Sequence, residues 1–167
     1  MSIVIITGLI GVFVFGRNTF LLVITVLSGY LAFSGYRVIK AKSNITNFVD
    51  IGICLLALAT VSYFLYYFKS IGMIWSPVII YSTVGYLFLM IIYDIGRYFI
   101  PAKKYANIWI YEHIVKMVGA FGGLLSAFSG TVFSNYQPYS QFIPSILATI
   151  ITIGFMVSVS NKKIRLH

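Results

Sequence analysis

Glu112, His113 and Lys116 head a segment, YEHIVKMVGAFGG, that is otherwise apolar and rich in glycine. Glu112 and Lys116 stand four apart, acid first, the order that pairs best on one helical face. Asp94 and Arg97 are three apart and also share a face, while Arg37 and Asp50 flank a short polar turn. Ionisable groups held within a membrane are candidates for function, and a histidine among them could carry a proton or ligate a cofactor. Haem b is one cofactor to weigh. Met117 lies on the same face as His113, so the two cannot hold opposite sides of one iron; Met90 or a second copy would have to serve. For a metal ion, Asp94, Glu112 and His113 could converge, and Asp50 and Cys54 are four apart, yet no diagnostic ligand spacing is present. No H-E-x-x-H, G-x-S-x-G or phosphate-cradling glycine loop occurs. The leading expectation is therefore no catalytic residue and no cofactor, with haem b or a metal at the polar cluster as the alternative.

Composition says where these residues must live. The 167 residues are 60% hydrophobic and 9% charged, against about 25% charged in a soluble domain. So few charges cannot cover a water-exposed surface, and lipid is the solvent that suits the chain. Residues 1–167 read as a single integral membrane domain, with no linker, repeat or low-complexity tract. The net charge of +9 does not point to nucleic acid, because the basic residues sit in short clusters between apolar runs, as orienting residues do in membrane proteins.

The elements that position the charges are spanning helices. Apolar runs over Phe20–Ile39, Phe48–Phe68, Ile74–Tyr98, Ile108–Phe133 and Phe142–Ser160 each supply about the 20 residues needed to cross ~30 Å of hydrocarbon. A shorter first run, Ile3–Phe15, reads as a thin first crossing with Arg17 snorkelling, giving six crossings, or five if it only half-inserts. Arg37, Lys40, Lys42, Arg97, Lys103, Lys104, Lys162, Lys163 and Arg165 fall on one side, against Arg17 and Lys69 on the other. The excess places that side, and both termini, in the cytoplasm. Trp75, Trp109, Tyr136 and Tyr139 fall at the expected interfaces. Arg37, Asp50, Asp94, Arg97, Glu112, His113 and Lys116 then share one depth, and pairing lowers the cost of holding them near hydrocarbon. The sequence predicts a mutually neutralising layer centred on His113.

Packing is legible too. Glu112, Lys116, Gly119, Gly123, Ser126 and Gly130 form one stripe, with Ala127 continuing the row of small residues. In lipid, close backbone approach through such residues drives helix association, so the stripe should face another helix, and Ser28, Ala32 and Gly35 offer a matching face. Cys54, the single cysteine, reads as a core residue. Pro77 and Pro144 read as first-turn prolines that mark helix starts. The Asn44-Ile-Thr46 sequon falls on the cytoplasmic side and is discarded.

SGYRVIKAK at 34–42, YDIGRY at 93–98 and EHIVKMVGAFGGLLSAFSG at 112–130 resemble the uncharacterised bacterial multi-pass proteins grouped as domain-of-unknown-function family 2306, most closely Bacteroidota members. That family's H-x-x-x-M-x-G-A pattern falls on His113, Met117, Gly119 and Ala120. Its Tyr-Arg pair falls on Tyr36 and Arg37, and its loop-preceding acid on Asp94. The chain departs from it in a shorter first segment and in lacking a tryptophan near Pro144. The resemblance implies an all-α polytopic bundle and no established activity. The expectation is a non-enzymatic accessory or assembly subunit, bedded in lipid and associating with other membrane subunits or with itself. The alternative is a ligand-, ion- or proton-binding protein using the cluster around His113.

Overall fold

The computed structural model describes residues 19–45, 47–71 and 77–164, together with Ile6 and Ile10. The rest of the expected segment Ile3–Phe15 lies outside the described residues, as do Arg17, Trp75 and His167. All regular structure among the described residues is helical: α1 Thr19–Ala41, α2 Phe48–Ile71, α3 Pro77–Gly96, α4 Ala102–Tyr105, α5 Trp109–Val132 and α6 Tyr139–Ile164. Short 3₁₀ turns cover Arg97–Phe99 and Ser134–Tyr136. Five of these helices, all but the one-turn α4, are long and apolar enough to cross a membrane, so the chain is built as a multi-pass membrane bundle.

The ends of the helices follow local chemistry. Asn47 precedes α2 and its Oδ1 accepts the Phe48 amide at 2.9 Å, while Asp50 reaches back to the Asn47 amide at 3.0 Å. This reciprocal arrangement satisfies donors that a helix start would otherwise leave bare. α3 opens on Pro77, whose missing N–H costs nothing at that position. Pro144 departs from expectation: it lies inside α6 rather than in its first turn, because the helix begins at Tyr139 and not at Phe142. α1 closes with Lys42 at φ 48°, its amide on the Val38 carbonyl at 2.8 Å and its ammonium 5.3 Å above the Trp109 ring. That cation–π contact holds the end of α1 against the start of α5.

α1 and α5 form the centre, α2 and α3 pack on α1, and α6 packs on α5. The pairing of α1 with α5 is the one the small residues predict. A side chain at Gly35 would stand 3.1 Å from the Lys116 Cβ, and one at Gly123 would stand 3.3 Å from the Ser28 Oγ. Leu27, Leu31, Val61, Ile80, Leu87 and Ile91 fill the core between α1, α2 and α3. Large apolar residues elsewhere on α2, α3 and α6 are exposed, which suits surfaces that meet acyl chains. Threonine hydroxyls at 60, 131, 149 and 152 bond the carbonyl four residues back, so they demand no partner from lipid.

Candidate functional site

The end of α1, the start of α2, the end of α3 and the start of α5 meet at one end of the bundle, and the charges meet with them. Lys116 is the hub. Its ammonium donates to Asp94 Oδ1, to Glu112 Oε1 at 2.5 Å and to Ser34 Oγ at 2.7 Å, which uses all three of its protons. Arg97 NH1 donates to Glu112 Oε1 at 2.7 Å and lies 3.9 Å from Asp94 Oδ1. Two carboxylates and two cations sum to zero, and all four side chains are nearly inaccessible.

The remaining carboxylate oxygens are also filled. Asp94 Oδ2 accepts from Tyr30 at 2.6 Å and Ser34 at 2.8 Å, and Glu112 Oε2 accepts from Tyr105 at 2.7 Å and Tyr93 at 3.2 Å. Tyr30 also meets Cys54 Sγ at 3.2 Å. Tyr105, in α4 outside the spans, has its phenol pushed well above the usual tyrosine range by burial and by its bond to Glu112. The four hydroxyl donors Tyr30, Ser34, Tyr93 and Tyr105 were not singled out from the sequence. A signal existed for two of them: Tyr30, Ser34 and Arg37 follow a four-three spacing and so line one face of α1.

Arg37 and Asp50 stand apart from this cluster as their own two-pronged pair, Nε to Oδ1 at 2.9 Å and NH2 to Oδ2 at 3.1 Å, partly open to the surroundings. The expected single layer therefore resolves into a buried quartet and an outer pair. His113 is not its centre. Its Nδ1 meets the Gly35 carbonyl at 2.8 Å across the α1–α5 seam, and Met117 packs over the same glycine. Glu112 and His113 are adjacent on one helix and so point about 100° apart; when Glu112 turns inward to the cations, His113 turns along the seam. Among the described residues, no three His, Cys, Asp or Glu side chains gather as a metal-binding group. The close approach at Gly35 also leaves no gap for a porphyrin between α1 and α5 beside His113.

Below the quartet the small-residue stripe divides. Gly119 and Gly123 face α1 and α3, with the Tyr86 hydroxyl 2.5 Å from where a Gly119 side chain would begin. Ser126 bonds Ser145 of α6 at 2.9 Å, and Gly130 lies against Gln141. Gly122, outside the predicted stripe, also packs closely on α6: a methyl there would stand 2.6 Å from the Ala148 Cβ. Ala127 is buried as expected. No protein-family model, curated protein or solved structure matches the chain.

Proposed function

We propose that the protein is a non-enzymatic accessory or assembly subunit of a bacterial inner membrane, which associates with other membrane proteins or with further copies of itself. One observation carries this reading. Within the buried quartet each carboxylate oxygen is engaged by the chain's own side chains and each ammonium proton is used. A charge cluster paired in this way fixes helices relative to one another. The outer surface supports the association half of the proposal. Among the described helices α6 packs chiefly on α5, and its exposed Gly154 and Ser158 are four apart, a small-x-x-x-small pair of the kind that lets helices meet in lipid.

The proposal includes six crossings with both termini cytoplasmic. The basic excess at the end of the bundle that carries Arg37, Arg97, Lys103 and Lys104 supports that orientation. It also includes kinship with domain-of-unknown-function family 2306: His113, Met117, Gly119 and Ala120 all line the α1 side of α5, as one shared structural seam would require. The test of function is purification in mild detergent followed by mass analysis of the intact particle. A companion chain or a defined oligomer is expected; a strictly monomeric protein would refute the proposal.

A ligand- or proton-binding role of the cluster is favoured by one observation. Arg97 Nε is buried without a partner among the described residues, beside a hollow of about 10 Å³ bordered by Asp50, Cys54 and Asp94, about the space one water needs. For such a role Arg97→Lys abolishes ligand or proton uptake by folded protein; unchanged uptake rejects it.

A further inference from the structure

A cavity of about 440 Å³ lies between α1, α3, α5 and α6, below the charged quartet. It exists because of glycine. Gly119, Gly122 and Gly123 withhold side chains along α5, and Ile24 and Leu27 of α1 with Ile79 and Tyr86 of α3 complete the walls. Along α5 it runs from Val115 to Ala127, roughly 18 Å of helix at 1.5 Å per residue. That length accommodates one extended chain. α3 and α6 flank it without packing substantially on each other, and the exposed lining residues Ser82, Ser145 and Thr149 mark an opening between them. That opening faces acyl chains, so an occupant can enter sideways from the bilayer.

The far end of the cavity is polar in a specific way. Gln141 lines it, is 5% exposed, and both its Oε1 and its Nε2 lack a hydrogen-bond partner among the described residues. Leaving a buried amide unpaired costs its full desolvation, and in lipid no water offsets the loss. The adjacent Ser140 hydroxyl is buried and also lacks a partner among the described residues, and Pro144 removes the amide that would otherwise bond the Ser140 carbonyl. Among the described residues no charged side chain lines the cavity, so a charged head would be desolvated there without compensation from them.

We propose that this cavity binds a neutral amphiphile: one apolar chain lying along the glycines of α5, ending in an uncharged carbonyl- or hydroxyl-bearing head that pairs with the Gln141 amide. Both a glycerolipid and a lipid-soluble quinone have this chemistry. The site is independent of the charged quartet and of any partner subunit.

Full-length protein in mild detergent is titrated with dioleoylglycerol, with decyl-ubiquinone and with oleate, and its thermal midpoint is followed. At least one neutral probe should raise the midpoint saturably, as a ligand of the native state must, while oleate should not compete with it. Gln141→Met, which keeps the length of the side chain and removes the amide, should raise the half-saturating concentration about tenfold. Thr83→Phe, which fills the cavity from α3, should abolish the response. Saturation by dioleoylglycerol alone, or by decyl-ubiquinone alone, supports the site and identifies the source of its ligand. No saturable response to either, tighter binding of oleate, or an unchanged half-saturation in Gln141→Met overturns the proposal. Should the variants not fold, a diazirine derivative of the saturating probe is cross-linked to wild-type protein. Adducts within 119–127 and 141–152 support the site, and adducts confined to other segments overturn it.

Discussion

Replacing Lys116 with methionine is the sharpest probe of the buried quartet. The substitution nearly conserves volume and removes one positive charge, so Asp94, Glu112 and Arg97 are left with a net charge of −1. The two carboxylates do not suffer equally. Glu112 keeps Arg97 at 2.7 Å and the hydroxyls of Tyr93 and Tyr105. Asp94 keeps only the hydroxyls of Tyr30 and Ser34, with Arg97 3.9 Å away and already committed to Glu112. Removing one member of a buried ion pair typically costs about 3–5 kcal/mol, chiefly through the charge left behind, and here that charge is Asp94. Lys116→Met should therefore lower unfolding stability in mild detergent by about 3–5 kcal/mol. Asp94→Asn/Lys116→Met, which removes both charges, should recover more than half of the loss. A double-mutant cycle read from thermal or denaturant unfolding gives the coupling, and a value near the upper end of the usual ~0.5–3 kcal/mol is expected for groups in direct contact. A single-mutant loss below about 1 kcal/mol, or a double mutant no more stable than Lys116→Met, would show that the quartet does not hold α3 to α5.

Four further outcomes follow from the same geometry. Arg37→Ala breaks only the partly open pair with Asp50 and should cost about 1 kcal/mol or less, weakening further with added salt. Gly122→Ala places a methyl 2.6 Å from the Ala148 Cβ and should cost about 1–3 kcal/mol by forcing α5 and α6 apart; Gly122→Ala/Ala148→Gly should restore most of the midpoint. Tyr105 is held protonated by burial and by Glu112, so its contribution to stability is fully present below the unfolded tyrosine pKa of about 10 and lost as pH rises through its higher folded value. The unfolding midpoint should therefore fall above about pH 10, with a shallower fall in Tyr105→Phe. His113→Ala should cost only about 0.5–1.5 kcal/mol, the worth of one neutral hydrogen bond to Gly35, and a larger loss would assign His113 a partner beyond that carbonyl.

The amino-acid sequence determined the class of the molecule, because hydropathy and charge scarcity follow from composition alone and leave lipid as the only compatible solvent. It also determined pairs within a helix: the four-residue spacing of Glu112 and Lys116 allowed one contact, and the structure makes it at 2.5 Å. The small residues of α5 and α1 were enough to predict that these two helices meet. Spacing reports only which face of its own helix a residue occupies, so the rotation of one helix against another stayed hidden, and with it every choice made across a seam. Arg97 could have served Asp94, three residues away, yet it reaches Glu112 on α5 because the inward faces of α3 and α5 converge. Tyr105 enters the cluster from a one-turn helix that no periodicity marked. The same rotation sends His113 to the Gly35 carbonyl instead of the quartet, and sets the Gln141 amide at the end of a space that the glycines of α5 leave unfilled. A cavity belongs to no residue in particular, which is why only the packed helices could disclose it.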